Sequence, residues 1–164
     1  MVQDPEPHHE VETIYTNMIP TLSPYGLIQE AIWPNRWLVL VSCVLLNCTR
    51  RKQVEKVFPT FIRSYDVPER LLHERYDTIS DLIAPLGFQK RRTNTLFKLA
   101  GAYLDWDGSE VRSLPGIGEY AARAWEIFVL DRLGDDEPDD GALKLYWSWR
   151  KHVGTLQFQR PSDR

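Results

Sequence analysis

The sequence is poor in cysteine, with two thiols in 164 residues, Cys43 and Cys48, five apart. That count excludes a disulfide framework and a four-thiolate cluster on this chain, so a cysteine-bound iron–sulfur cofactor is not expected. No apolar run reaches the roughly 20 residues that a bilayer needs. The N-terminus shows no basic start followed by an apolar stretch, so the expectation is an intracellular protein with no membrane partner. No sustained period-two alternation occurs, which removes β-strands as the organising element and leaves an all-α fold. Internal repeats and linker-like stretches are also missing, so one domain is expected. The first twenty residues lack lysine and arginine and carry four acids, Asp4, Glu6, Glu10 and Glu12. Polar, proline-containing and weakly periodic, residues 1–20 read as a disordered acidic arm. His8 and His9 within it have no neighbours to complete a metal site, and no metal is expected.

What is present suits one compact domain over residues 21–154, followed by a frayed tail, 155–164. The chain is 43% hydrophobic, with six Trp, seven Tyr and six Phe to fill a core. Trp37 to Asn47 is almost wholly apolar and reads as a buried central helix. Helical spacing recurs from Val54 to Tyr65, with Thr49 as a candidate cap and Pro59 as a candidate kink. Short helices follow at Pro68 and over 78–84, then a long one over about 89–104 and a last one over 143–153. Net charge is −3, but its signs are segregated: residues 131–140 hold six acids and one arginine, whereas residues 48–98 hold eleven Lys/Arg against six Asp/Glu. Arg50-Arg51-Lys52 and Lys90-Arg91-Arg92 are the dense points, and they permit a basic face for phosphates.

The most informative stretch is Arg112-Ser113-Leu114-Pro115-Gly116-Ile117-Gly118-Glu119-Tyr120-Ala121-Ala122. Pro115 cannot continue a preceding helix, and Gly116 can take angles closed to other residues. The stretch predicts a tight hairpin between a short arm, 110–114, and a longer helix running from Gly118 to about Arg132. Free N–H groups at the start of that second helix can face an anion. Asp139 and Asp140 lie 21 and 22 residues beyond Gly118, at the start of the last helix. A carboxylate there is held ionised by the helix dipole, which suits a base or a stabiliser of positive charge. It is also the chemistry of an ordinary helix cap.

Leu114-Pro115-Gly116-Ile117-Gly118-x-Tyr120, followed at this distance by Asp140, resembles the helix-hairpin-helix DNA glycosylase superfamily. Within it the likeness runs to the glycosylase domains of methyl-CpG-binding thymine DNA glycosylases. The matching segments include Leu27-Ile28-Gln29-Glu30, Leu45-Leu46-Asn47-x-Thr49, Pro85-Leu86-Gly87 and Pro138-x-Asp140-x-x-Leu143-x-x-Tyr146-x-x-Trp149. The resemblance implies a two-lobed helical fold with a cleft between the lobes. It implies an enzyme that binds duplex DNA as a monomer, flips a mismatched or modified pyrimidine out and hydrolyses its N-glycosidic bond. Asp140 takes the place of the catalytic aspartate. Tyr120 stands where bifunctional relatives carry a Schiff-base lysine, which implies a monofunctional hydrolase. Ile28, Gln29 and Tyr120 match the base pocket. Gly116, Ile117, Gly118, Asn47, Cys48, Thr49, Arg50, Arg51, Phe88, Arg91 and Arg92 match the DNA-contacting set, with Phe88 as an apolar wedge. No cofactor is implied beyond a monovalent cation at the hairpin.

Two positions depart from the pattern. Cys48 stands where related chains place an arginine or glutamine that fills the hole left by the flipped nucleotide, and a thiol is short and a weak donor. Gly141 replaces a larger polar residue after the aspartate. Both departures keep two other functions in view: a phage-type transferase that places an amine or amino acid on an activated 5-methyl group of thymine, and a non-catalytic DNA-binding module.

Overall fold

The computed structural model describes residues 22–153, so the expected arm and tail lie outside the described residues. Eight α-helices occur among them, with no strand: α1 (Ile28–Ile32), α2 (Arg36–Leu46), α3 (Arg51–Ser64), α4 (Pro68–Leu72), α5 (Tyr76–Ile83), α6 (Gln89–Asp105), α7 (Glu119–Phe128) and α8 (Gly141–Val153). One-turn 3₁₀ segments lie at Ala84–Leu86 and Val111–Ser113.

Helix α2 is the hub. Asn35 caps it by accepting from the Leu38 amide, and Trp37 through Leu45 are all buried. Its apolar circumference is satisfied because helices pack against it from both sides. Helices α3 and α6 touch it on one side, with α4 and α5 packed on α6. Helices α1 and α7 touch it on the other, and α8 joins this side through the Phe128 and Tyr146 rings, 4.7 Å apart. The chain is thereby divided into two helical lobes that share one continuous core.

Several local expectations need correction. Thr49 does not cap α3; the cap position is Arg50, without a side-chain bond, and the Thr49 hydroxyl is taken by Arg92 instead. The short arm of the hairpin is a 3₁₀ turn rather than an α-helix, because Glu110 accepts from the Arg112 amide at its own side chain and closes a tight turn. Helix α7 stops at Phe128, four residues before the expected end. Asp131 adopts a left-handed backbone there (φ 52°), and its carboxylate is held by Arg150 of α8 at 2.8 Å.

Candidate active site

The hairpin turn is set by one glycine. Gly116 has φ 77°, and a β-carbon on it would collide with the Thr95 methyl of α6. Close approach and left-handed backbone thus both demand glycine there. The Ile117 side chain is buried and anchors the turn, while its amide donates to the Leu114 carbonyl at 3.2 Å. Gly118 caps α7, and Ala122 is the first residue of the helix to donate back, to the Gly118 carbonyl at 3.0 Å. The amides of Glu119, Tyr120 and Ala121 precede that ladder, in the place where a helix N-terminus receives an anion.

A cleft of about 460 Å³ opens immediately beyond the glycine pair. Its walls are the first turns of α7 (Glu119, Tyr120, Arg123, Glu126), the acidic loop before α8 (Asp136 to Asp140), Arg112 and Leu143. Asp140 and the residues on either side of the glycine turn, Arg112, Glu119 and Tyr120, therefore line one cavity. Asp140 also caps α8: its Oδ1 accepts from the Ala142 and Leu143 amides, both at 3.0 Å. No described residue donates to Oδ2. One oxygen of the carboxylate thus serves the helix cap, and the other is not used by it.

Behind the cleft wall lies a buried polar cluster. The Gln29 amide donates to the Tyr120 hydroxyl at 3.0 Å and approaches the Cys43 sulfur at 3.7 Å. Burial, reinforced by the negative charge of Asp140, pushes the Tyr120 phenol far above its ordinary value, so it stays protonated. Burial also raises the Cys43 thiol to about 11, which makes it inert as a nucleophile. Gln29 is 1% exposed and does not line the cleft, and Ile28 is buried in the core. Of the three expected pocket residues, only Tyr120 reaches the cavity here.

The expected DNA-contacting residues divide by exposure. Asn47, Cys48, Arg50, Arg51, Phe88 and Arg91 are exposed; Phe88 is 67% open, an unusual state for a phenylalanine. Arg51 also pairs with Glu55 and donates to the Tyr25 carbonyl. Arg92 departs from its triplet: it is 5% exposed, with its guanidinium directed to protein carbonyls, and cannot serve as a surface phosphate contact.

Two arginines not anticipated from the sequence shape the cleft. Arg123 pairs with Glu126 at 2.7 Å and donates to the Leu133 and Asp136 carbonyls, tying α7 to the loop that carries Asp140. Arg112 bridges Glu119 and Glu126 at 3.0 and 3.4 Å, locking the hairpin's short arm to α7. Glu126, three residues from Arg123 and seven from Glu119, was a readable signal for the first pair; the loop carbonyls carried none. No group of three or more His, Cys, Asp and Glu among the described residues is arranged to hold a metal ion. No described helix is long and apolar enough to cross a membrane.

No family model matches the sequence. The chain is 35% identical to a methyl-CpG-binding domain protein 4-like protein of Arabidopsis thaliana over 80% of its own length and 29% of that protein's. It is 31% identical to a thymine-DNA glycosylase of Aeropyrum pernix, over 78% of this chain and 60% of that one. A thymine/uracil-DNA glycosylase of Pyrobaculum aerophilum is 36% identical, over 62% of this chain and 46% of that one. The chain thus spans between about a third and three-fifths of the length of these relatives. Among solved structures, a thermostable thymine-DNA glycosylase superposes with a TM-score of 0.57 at 22% identity, covering 77% of this chain and 60% of that one. An endonuclease III in a non-covalent DNA complex gives 0.56 at 17% identity, covering 87% and 73%. With the hairpin and the following aspartate on this helical frame, the chain is similar in sequence to thymine-DNA glycosylases and shares the all-helical fold of thymine-DNA glycosylase and endonuclease III.

Proposed function

We propose that the chain is a monofunctional DNA glycosylase, which flips a mismatched or modified pyrimidine (thymine, uracil or a 5-substituted uracil) out of duplex DNA and hydrolyses its N-glycosidic bond. The observation that carries this reading is the shared cleft of Asp140 and the hairpin. The free amides at the start of α7 grip a phosphate, which brings the adjoining sugar to the Asp140 carboxylate. As the base departs, the sugar acquires oxocarbenium character, and the Asp140 charge stabilises it. The same carboxylate orients water for attack on the anomeric carbon. Surrounding acids favour that cationic sugar, while Arg112, Arg123 and Lys144 hold Glu119, Glu126 and Glu137 in ion pairs.

Lyase chemistry is not part of the proposal. No lysine lines the cleft among the described residues, and a phenol has no amine nitrogen with which to form a Schiff base. The reaction is assigned no cofactor; a monovalent cation at the hairpin carbonyls would assist the phosphate grip and not bond cleavage. Duplex DNA is the proposed partner, bound by a monomer, which places the protein with the DNA of its cell.

The test is incubation with duplexes bearing G·T, G·U and 5-hydroxymethyluracil. Free base and alkali-labile sites are expected, both lost in Asp140→Asn. Strand breaks before alkali treatment, or a gain of mass on an activated thymine in the presence of an amine donor, would replace this reading with a lyase or a transferase. Binding without any chemistry would reduce it to a DNA-binding module.

A further inference from the structure

Two exposed loop tips in the α3–α6 lobe share an unusual trait. Cys48, between α2 and α3, has φ 56°; Phe88, at the start of α6, has φ 49°. A left-handed backbone is uncommon for either residue type and persists where surrounding contacts enforce it. Neither tip is buried, so packing of their own side chains does not supply the enforcement.

Arg92 does. Its guanidinium lies between the two loops and bonds to both. Nη1 donates to the Leu86 and Gly87 carbonyls at 2.6 and 2.7 Å, immediately before Phe88. Nη2 donates to the Asn47 carbonyl at 2.5 Å and to the Thr49 hydroxyl, on either side of Cys48. The guanidinium carbon also sits 5.8 Å from the Phe88 ring centroid. Every acceptor is neutral, so the buried cation is not neutralised by a carboxylate among these partners. Burial lowers its affinity for a proton, yet a guanidinium stays charged at any working pH. A planar fork with several fixed donors is the one side chain that spans two loops this way; an ammonium has a single nitrogen.

We propose that Arg92 is a positioning residue, whose buried guanidinium ties the Asn47–Thr49 loop to the Leu86–Phe88 loop so that Cys48 and Phe88 enter the duplex as one rigid two-pronged wedge. The inference rests on the glycosylase reading and extends it. A short thiol cannot fill the hole left by a flipped nucleotide unaided. Held at fixed spacing from an aromatic ring, the loop backbone around Cys48 and the Phe88 ring together occupy the gap and the neighbouring step. Arg92 itself touches neither base nor sugar.

The test separates opening the duplex from cutting the bond. Single-turnover excision is measured for the wild type and Arg92→Lys on a mismatched duplex and on a single strand with the same target base. The expected result is a loss of at least about tenfold on the duplex, with the single-strand rate within about twofold of wild type. Phe88→Ala should add little to Arg92→Lys, because both disable the same wedge. Equal losses on both substrates, or none on the duplex, would overturn the proposal.

Amide hydrogen exchange without DNA provides a second arm that does not depend on activity. Thr49→Val, altered in one loop, should raise exchange at Phe88 in the other. Exchange confined to the Asn47–Thr49 loop would overturn the coupling even if Arg92→Lys failed to fold. If the wild type excises nothing while the two loops exchange together, the glycosylase reading fails and the structural coupling stands.

Discussion

The two lobes solve the problem of fixing an exposed functional group in opposite ways. On the α7–α8 side, Asp140 is held by peptide amides at a helix start, and the acidic loop before it by an arginine from the neighbouring helix. On the α3–α6 side, two loop tips with unfavourable backbone angles are held by one buried cation. The first arrangement orients a charge and leaves it open to a cavity. The second hides a charge in order to orient groups that carry none. The proposed function, binding a polyanion and stabilising a cationic sugar, would draw on both, with the work divided between the lobes.

The largest effect expected from breaking this division is at Asp140. Asp140→Asn should retain the helix cap through its amide oxygen, so the thermal midpoint should move little while excision falls by about 10²–10³-fold. Single-turnover kinetics on duplex and single-stranded substrates should show the same loss on both, in contrast to variants in the other lobe. A loss confined to duplex would transfer Asp140 from chemistry to DNA opening.

Gly116→Ala attacks the junction of the lobes, where the turn meets Thr95 of α6. Collision and a left-handed backbone together should cost about 1–3 kcal/mol in denaturant unfolding. Duplex affinity should fall with it. The companion Gly116→Ala/Thr95→Ser variant, which removes the colliding methyl, should recover part of that stability. No recovery would locate the whole cost in the backbone angle.

Phe88→Ala is expected to be milder. It should reduce duplex excision by roughly tenfold through loss of the wedge and leave stability within about 0.5 kcal/mol, because the ring is exposed. A marked fall in the unfolding midpoint would instead make Phe88 a core residue.

The smallest effects concern the two thiols, one in each environment. A disulfide reagent should titrate Cys48 in the native protein and Cys43 only after unfolding. The raised thiol of Cys43 also gives a pH signature with a definite sign. Its folded value, about 11, lies above the ordinary value of 9.0, so its contribution to stability is complete below about pH 9. That contribution is lost progressively as pH rises towards about 11. Urea midpoints of wild type and Cys43→Ala should therefore converge across this window; parallel profiles would show that the thiol is not buried in solution.

Much of this was legible in the sequence. Asp139 and Asp140 were both visible as carboxylates at a helix start, with only the family resemblance choosing between them, and the hub helix was visible because eleven nearly apolar residues cannot be a surface element. Arg92 was misjudged for a physical reason. Within Lys90-Arg91-Arg92 the three cations are equivalent as charges, and only their phase on α6 separates them. Arg92 precedes Leu96 by four residues and Leu99 by seven, so it falls on the inward stripe. The bond between Gln29 and Tyr120 was not legible, because the register of α1 against α7 is set by packing that no local pattern records. The hairpin's first arm depends on a side-chain bond from Glu110, and the early stop of α7 on the Arg150–Asp131 pair, neither of which hydrophobic periodicity records.

The double use of Asp140 has a consequence for substitution. Because one oxygen is tethered to two amides, the other can only pivot about a short arm, and its reach is fixed to within the length of a single carbon–oxygen bond. Glutamate, one methylene longer, would have to abandon the tether or overshoot the sugar, so the two acids are not interchangeable here. Asparagine keeps the cap and removes the charge, so on the proposed function that substitution would leave a protein that holds its flipped nucleotide without releasing the base.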